Sequence, residues 1–147
     1  MPTRPLLAAF AAVVLTFVAI VAAGCQGNVF SLKVGECFSG AASGDVSDVN
    51  KVDCSVAHDS EVFSVFDYPN PPSDFPGDSA MKSAAADRCI TDFQAYVGID
   101  AASSSYGVGQ LVPTAGGWAQ GDRQLVCLVQ PGTQGTPLTG SAKGTAK

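Results

Sequence analysis

Apolar residues follow two different periods along this chain, and the periods predict where strands and a helix lie. From Glu61 to Tyr68, apolar and polar positions alternate. The alternation puts Val62, Ser64 and Phe66 on one face and Phe63, Val65 and Asp67 on the other. Because side chains of a strand point alternately to its two faces, this segment predicts a half-buried strand.

A longer period appears between Asp78 and Val97, where apolar residues recur at spacings of three and four. The stripe consists of Met81, Ala85, Cys89, Phe93, Tyr96 and Val97. Such a stripe predicts an amphipathic helix that packs on a sheet. Asp78 and Ser79 can cap its start, and Gly98 suits a left-handed end.

The rest of the chain adds strands separated by turns. Strands are predicted at Val34–Phe38, Tyr106–Pro113 and Gln124–Gln130, and prolines between Pro69 and Pro76 exclude regular structure there. We therefore expect an α+β fold in which a small, mainly antiparallel sheet packs against one main helix, at about residues 78–97. The segment beyond residue 132 is expected to be loose.

An uncharged apolar run from Leu6 to Ala23 precedes this domain. Its 18 residues lie between the length of a signal-peptide core, about 7–15 residues, and that of a spanning helix, about 20. Val21 to Cys25 resembles the lipobox of bacterial lipoproteins, although Ala22 stands where a branched residue is usual. The resemblance implies a lipid, such as palmitate, on Cys25. The alternative is an uncleaved single-pass anchor with a free Cys25 thiol.

These patterns divide the chain into four parts. We expect a signal peptide or membrane anchor over 1–24, a linker over 25–32, one extracytoplasmic domain over 33–141 and a disordered tail over 142–147. Either form of attachment would hold the domain at the extracytoplasmic face of the cell membrane.

Four of the five cysteines lie in the predicted domain. They are Cys37, Cys54, Cys89 and Cys127. An even set at wide spacing in an exported chain indicates two disulfides. Four cysteines allow three pairings, and sequence distance together with the predicted strands favours Cys37 with Cys54 and Cys89 with Cys127. A zinc site is disfavoured because no two cysteines have the close spacing of a zinc knuckle and His58 is the only histidine.

Charge and motifs exclude several classes of function. The chain has 13 acidic against 8 basic residues, and every acidic residue lies between Val34 and Asp122. Such a surface repels phosphate backbones, so no nucleic-acid partner is expected. No phosphate-binding loop, paired metal-binding histidines or Gly-x-Ser-x-Gly elbow occurs, and the sequence predicts no cofactor or metal.

The order of several short motifs resembles the actinobacterial septum-formation domain family. The motifs are Val34-Gly35-Glu36-Cys37-Phe38, Val52-Asp53-Cys54, His58-Asp59-Ser60-Glu61-Val62, Phe75-Pro76-Gly77, Tyr96-Val97-Gly98, Pro113-Thr114, Trp118-Ala119-Gln120-Gly121-Asp122-Arg123, Val126-Cys127 and Leu138-Thr139-Gly140-Ser141. Ala57 departs from the proline expected before the histidine. The resemblance implies a membrane-anchored domain with a part in septum formation and cell division, and no enzymatic activity.

His58, Asp59 and Glu61 form the densest group of ionisable residues. On an extended segment Asp59 and Glu61 would point to the same side, as a hydrolytic carboxylate pair could. Any two carboxylates two residues apart on a strand lie within the separation that a hydrolytic pair requires, so the spacing is not evidence for catalysis. Structural roles are favoured: a turn at Asp59, a hydrogen bond from His58 and a solvent-facing Glu61.

A second candidate group is Trp118 with Asp122 and Arg123. An exposed tryptophan could stack on a sugar, and arginine could bind a carboxylate through its planar donors. Core packing of Trp118 and a turn closed by Asp122 and Arg123 are the favoured alternative.

The two groups together define the candidate interaction surface: His58, Asp59, Glu61, Trp118, Asp122 and Arg123. We expect a tethered interaction or binding module, not an enzyme, that contacts wall polymer or another division protein. The alternatives are a cell-wall hydrolase with a site around His58, Asp59 and Glu61, and an envelope ligand-binding lipoprotein.

Overall fold

A computed structural model describes residues 26–28, 31–40, 46, 48–133 and 135–147. Its elements in chain order are β1 (Gln26–Asn28), β2 (Cys37–Ser39), β3 (Asp48–Val52), β4 (Ser60–Asp67), α1 (Asp78–Val97), β5 (Tyr106–Leu111), α2 (Ala115–Ala119) and β6 (Gln124–Pro131). The described strands form one sheet in the order β1-β3-β2-β4-β6-β5. Every neighbouring pair is antiparallel. The predicted α+β class and its main helix are confirmed.

Helix α1 begins and ends at the predicted residues, but its start is capped differently. The N-cap is Gly77, which has no side chain, so the predicted caps Asp78 and Ser79 lie inside the first turn. Gly98 closes the helix at a φ of 97°, and its N–H donates to the Gln94 carbonyl. A side chain is strained at such an angle, which explains the glycine.

The helix buries its stripe against one face of the sheet. The fully buried members are Met81, Ala85, Cys89, Phe93 and Val97. The rings of Phe93 and Phe63 meet edge to face with centroids 5.6 Å apart. The predicted amphipathic packing is therefore confirmed, and Ile90, on the outer side of the helix, is 53% exposed.

The other face of the sheet carries a smaller apolar cluster. Its buried members are Leu32, Phe38, Val49, Val62, Val126 and Leu128. The middle strands of the sheet are thus apolar on both faces.

A bulge in β4 changes the alternation predicted for that strand. The register with β6 shifts between Val62 and Ser64, so Phe63 is an extra residue. Val62 and Val65 consequently pack in the smaller cluster, whereas the hydroxyl of Ser64 reaches Asp92 of the helix at 2.5 Å. The prediction that Val62 and Ser64 share a face is wrong. One extra residue in the strand moves every following side chain to the opposite face of the sheet.

Several short elements differ from the sequence-based expectations. The predicted linker contains β1, which pairs with β3, and β3 itself lies where the apolar pattern is irregular. Val34 and Gly35 form a turn, so β2 begins only at Cys37. Helix α2 replaces part of the predicted turns near Trp118, with its first turn capped by the Thr114 hydroxyl.

The C-terminal segment, residues 135–147, crosses from the start of β4 to the end of helix α1. Leu138 exchanges two backbone hydrogen bonds with His58, and the N–H groups of Gly144 and Ala146 donate to the carbonyls of Tyr96 and Val97. The structure therefore places residues 142–147 against the helix, where the sequence predicted a disordered tail. The physical reason is that the open carbonyls of the last helical turn accept these donors.

Both disulfides have the predicted partners. Cys37 is bonded to Cys54, and Cys89 is bonded to Cys127. The first bond joins β2 to the loop after β3, and the second joins helix α1 to β6. The second disulfide lies in the main core, with both cysteines fully buried.

Candidate functional site

Glu61 is the buried centre of the ionisable group singled out from the sequence. Its exposed fraction is 0%, and its carboxylate accepts three hydrogen bonds. The donors are the Tyr96 hydroxyl at 2.6 Å, the Ser141 hydroxyl at 2.5 Å and the Ala142 N–H at 2.6 Å. The expectation of a solvent-facing Glu61 is wrong, because three donors from other elements satisfy the carboxylate inside the protein.

Tyr96 connects this carboxylate to helix α1. The pKa of Tyr96 is raised above its ordinary value. Burial is the largest cause, and the hydrogen bond to Glu61 and the negative charge of Glu61 add to it. The hydroxyl therefore keeps its proton at neutral pH and remains a donor.

His58 lies beside Glu61 and is also buried. Its Nδ1 is 2.8 Å from the Val56 carbonyl oxygen. Because a carbonyl can only accept, Nδ1 donates this hydrogen bond, and the other ring nitrogen is Nε2. That nitrogen is buried and has no hydrogen-bond partner among the described residues.

The geometry of Cys37, His58 and Glu61 has to be compared with that of a metal site. Their potential ligand atoms lie within 4.8 Å of one another. Cys37, however, is bonded to Cys54, so its sulfur is not a thiolate. The group then offers one imidazole nitrogen and one carboxylate, fewer than the three or four protein ligands typical of zinc, so the residues do not fit a metal in the oxidised protein.

Asp59 does not form a carboxylate pair with Glu61. Asp59 is exposed, and its Oδ2 accepts a hydrogen bond from the Gly40 N–H at 2.9 Å. Glu61 is buried against the C-terminal segment instead. Asp59 lies at a bend before β4 and faces solvent, whereas Glu61 is buried, so the two do not form the hydrolytic pair considered as an alternative.

Trp118 packs in the core and is not an exposed stacking platform. It is 3% exposed, and its ring meets Tyr68 and Phe75 edge to face at 5.5 and 6.1 Å. The indole N–H donates to the Ser73 carbonyl at 3.2 Å. These contacts tie helix α2 to the proline-rich loop before helix α1, as the favoured alternative expected.

Arg123 covers the outer side of that indole. Its guanidinium carbon is 3.6 Å from the Trp118 ring centroid, a cation–π contact. The same side chain donates to the carbonyls of Trp118 and Asp122, both at 2.7 Å. Arg123 thus closes the turn through two backbone oxygens, both of which accept from its Nη1.

Asp122 stabilises the start of β6. Its Oδ1 accepts a hydrogen bond from the Gln124 N–H at 2.9 Å. Burial raises the pKa of Asp122, against the opposing effects of that hydrogen bond and of the Arg123 charge. Its role is to close a turn, and it lies apart in the chain from the group around Glu61.

The candidate interaction surface is consequently not one surface. His58, Glu61 and Trp118 are buried, and the other candidates, Asp59, Asp122 and Arg123, are at least partly exposed. Sequence reasoning missed Tyr96 and Ala142 as partners of Glu61, because no local pattern joins residues that lie so far apart along the chain.

The fold and these contacts define an α+β domain with two disulfides and a buried carboxylate network at its centre. A family model described as "Septum formation" matches residues 34–147, which include both disulfides and every residue of that network. The chain belongs to this septum-formation family, and its role is related to septum formation. No curated protein and no solved structure gives a significant match.

Two further sequence-based expectations concern the N-terminal part. The apolar run and the lipid on Cys25 lie outside the described residues. Within those residues, no helix is both long enough and apolar enough to cross a membrane.

Proposed function

We propose that this protein is an extracytoplasmic interaction module, held to the cell membrane through its N-terminal part, that acts in septum formation without catalysing a reaction. Its partner would be wall polymer or another division protein. The observation that carries the proposal is the commitment of Glu61, the one carboxylate of the candidate group that lies deep in the domain, to three internal donors.

The hydrogen bonds of Glu61 support a structural role for that group. A hydrolytic carboxylate must reach substrate or an attacking water. Glu61 instead joins the sheet, helix α1 and the C-terminal segment, while His58 holds Leu138. Substrate could reach this carboxylate only if the C-terminal segment moved away.

Location outside the cytoplasm is supported by the disulfides. Both bonds have ordinary Cα separations, 5.2 and 5.4 Å, and persistent structural disulfides are typical of oxidising compartments. The uncharged run from Leu6 to Ala23 and the lipobox-like Cys25 supply the proposed route to the membrane.

Depletion of the protein in its native host tests the role in division. Septa are imaged with a fluorescent wall label after depletion, and cells are complemented with the wild type or with Cys25→Ser. We expect misplaced or missing septa, rescue by the wild type and poor rescue by the variant. Normal septa after full depletion would refute the division role, and full rescue by the variant would refute the need for the lipid.

A second experiment tests the absence of catalysis. The purified full chain is incubated with isolated wall polymer, and both soluble fragments and co-sedimented protein are measured. We expect the native protein to release no more soluble fragments than a control sample with the reduced and denatured protein. Sustained release that grows with time, and disappears on denaturation, would show a hydrolase instead.

A further inference from the structure

Strand β5 forms one outer edge of the sheet. It pairs with β6 on its inner side, and no described residue forms a strand beyond it. The opposite edge, β1, is only 3 residues long, whereas β5 has 6. A long edge strand presents unpaired N–H and C=O groups that can accept another strand.

The register shows which groups of β5 point outward. Tyr106 lies opposite Pro131, which has no N–H, so the two residues cannot exchange the two N–H···O bonds of a hydrogen-bonded pair. Because bonded and non-bonded pairs alternate along an antiparallel ladder, Val108 and Gln110 also turn their N–H and C=O groups away from β6. Apart from the Tyr106 N–H, the described residues form no hydrogen bond with these outward groups. Tyr106 uses its own N–H to bond Ser104 Oγ at 3.1 Å.

The edge also lacks the features that usually prevent strand pairing. Its residues, Tyr-Gly-Val-Gly-Gln-Leu, include no charged residue and no proline, and its register with β6 is continuous. The uncharged stretch extends over residues 101–121. Natural edge strands normally carry lysine, proline or a bulge for protection.

We propose that two copies of this chain pair through β5 in antiparallel orientation, forming one continuous sheet across a two-fold axis. Val108 is the middle of the outward-facing set, so the register that pairs most groups places Val108 of one copy opposite Val108 of the other. Gln110 of each copy then lies opposite Tyr106 of the other. The central pair exchanges both N–H···O bonds.

The charge distribution opposes a second copy at most faces and permits one at this edge. The chain has a net charge of −5, so most faces of two copies repel each other. Residues 101–121 include no acidic residue, so pairing through this stretch does not place two of its side chains of like charge together. A two-fold axis normal to a membrane also keeps both N-terminal parts on the same side, and the pairing itself needs no anchor.

Gln110→Pro tests the proposal, with Gln110→Ala as its matched control. Proline removes the outward N–H and blocks the edge, whereas alanine removes only the side chain. The full chain is studied in detergent micelles by size-exclusion chromatography with light scattering over a concentration series. We expect a dimer for the wild type and Gln110→Ala, and dimerisation weaker by roughly tenfold or more for Gln110→Pro.

Amide hydrogen exchange gives a second readout that needs no substitution. The Val108 and Gln110 amides of the wild type should be protected at high protein concentration and exchange faster on dilution, whereas inner-edge Gly109 should stay protected. The proposal is overturned if the wild type is monomeric throughout, if Gln110→Pro dimerises as well as the control, or if the Val108 and Gln110 amides show no dependence on concentration. Near-ultraviolet circular dichroism verifies that Gln110→Pro is folded, and Gln110→Lys replaces it if it is not.

Discussion

The Tyr96 hydroxyl donates a 2.6 Å hydrogen bond to Glu61 Oε1, joining the penultimate residue of helix α1 to the second residue of β4. Glu61 is fully buried, so its carboxyl oxygens take their hydrogen bonds from the protein. Ser141 and Ala142 complete this set from the C-terminal segment. One carboxylate therefore holds together three parts of the chain that lie far apart in sequence.

Tyr96→Phe should destabilise the protein by about 1.5–3 kcal/mol, the usual range for a hydrogen bond to a charged group. The ring remains, so the loss reports the missing donor to Glu61. Denaturant unfolding at neutral pH measures it. Tyr68→Phe is the control, because no described residue bonds the Tyr68 hydroxyl, and it should change stability by less than about 0.5 kcal/mol. Equal effects of the two substitutions would contradict a special role for Tyr96.

Deletion of residues 142–147 should destabilise the protein by about 2.5–6 kcal/mol. It removes the Ala142 N–H from Glu61, a bond to a charged group worth about 1.5–3 kcal/mol, and the Gly144 and Ala146 donors from the end of the helix, each worth about 0.5–1.5 kcal/mol. Denaturant unfolding compares the shortened chain with Lys147→Ala, an exposed position, which keeps those backbone donors and should stay within about 0.5 kcal/mol of the wild type. A shortened chain as stable as the wild type would indicate a tail that contributes nothing.

The Cys37–Cys54 bond should be reduced before the Cys89–Cys127 bond under mild, native conditions. Cys54 is partly exposed, whereas Cys89 and Cys127 are 1% and 0% exposed. Attack by a thiolate needs access to a sulfur. Alkylation of the new thiols followed by peptide mass spectrometry identifies the order, with denatured protein as the control in which access no longer differs. Earlier labelling of Cys89 or Cys127 in the native protein would contradict the prediction.

Asp122→Asn should gain stability relative to the wild type as pH rises from 3 to 7. Burial raises the pKa of Asp122 above its ordinary value, so ionisation costs more in the folded state than in the unfolded state. The wild type is therefore more stable while Asp122 is protonated, and it loses that stability as pH rises through the raised pKa. Asparagine does not titrate and can still accept from the Gln124 N–H.

Unfolding free energies of Asp122→Asn and the wild type at the two pH values give the comparison. Asp74→Asn, at an exposed position, controls for the change in net charge. The prediction is contradicted if the stability of Asp122→Asn relative to the wild type is the same at pH 7 as at pH 3, or lower. The pKa of Asp122 would then not be raised in the folded protein.

Local patterns predicted the parts of the fold that depend on neighbouring residues. Helix α1 follows from the spacing of Met81, Ala85, Cys89 and Phe93, and its end follows from Gly98, because both depend on backbone preferences within a few residues. The disulfide pairs were also predicted, since sequence distance and strand assignment already restricted the three pairings.

Other features depended on contacts that no local pattern contains. The bulge at Phe63 arises from the register of β4 with β6, and β1 and β3 are strands because each has a partner, although their own sequences are irregular. The short α2 likewise follows from packing of Trp118 against Tyr68 and Phe75.

By itself, the sequence determined the fold class, the main helix, the cysteine pairs and the acidic character of the chain, because these follow from periodicity, spacing and composition. Only the tertiary structure decided that Glu61 and Trp118 are buried, that residues 142–147 lie on helix α1 and that β5 is an open edge. The physical reason is that burial and hydrogen-bond satisfaction depend on groups brought together from distant parts of the chain, and a charged residue such as Glu61 is stable inside only when those donors arrive.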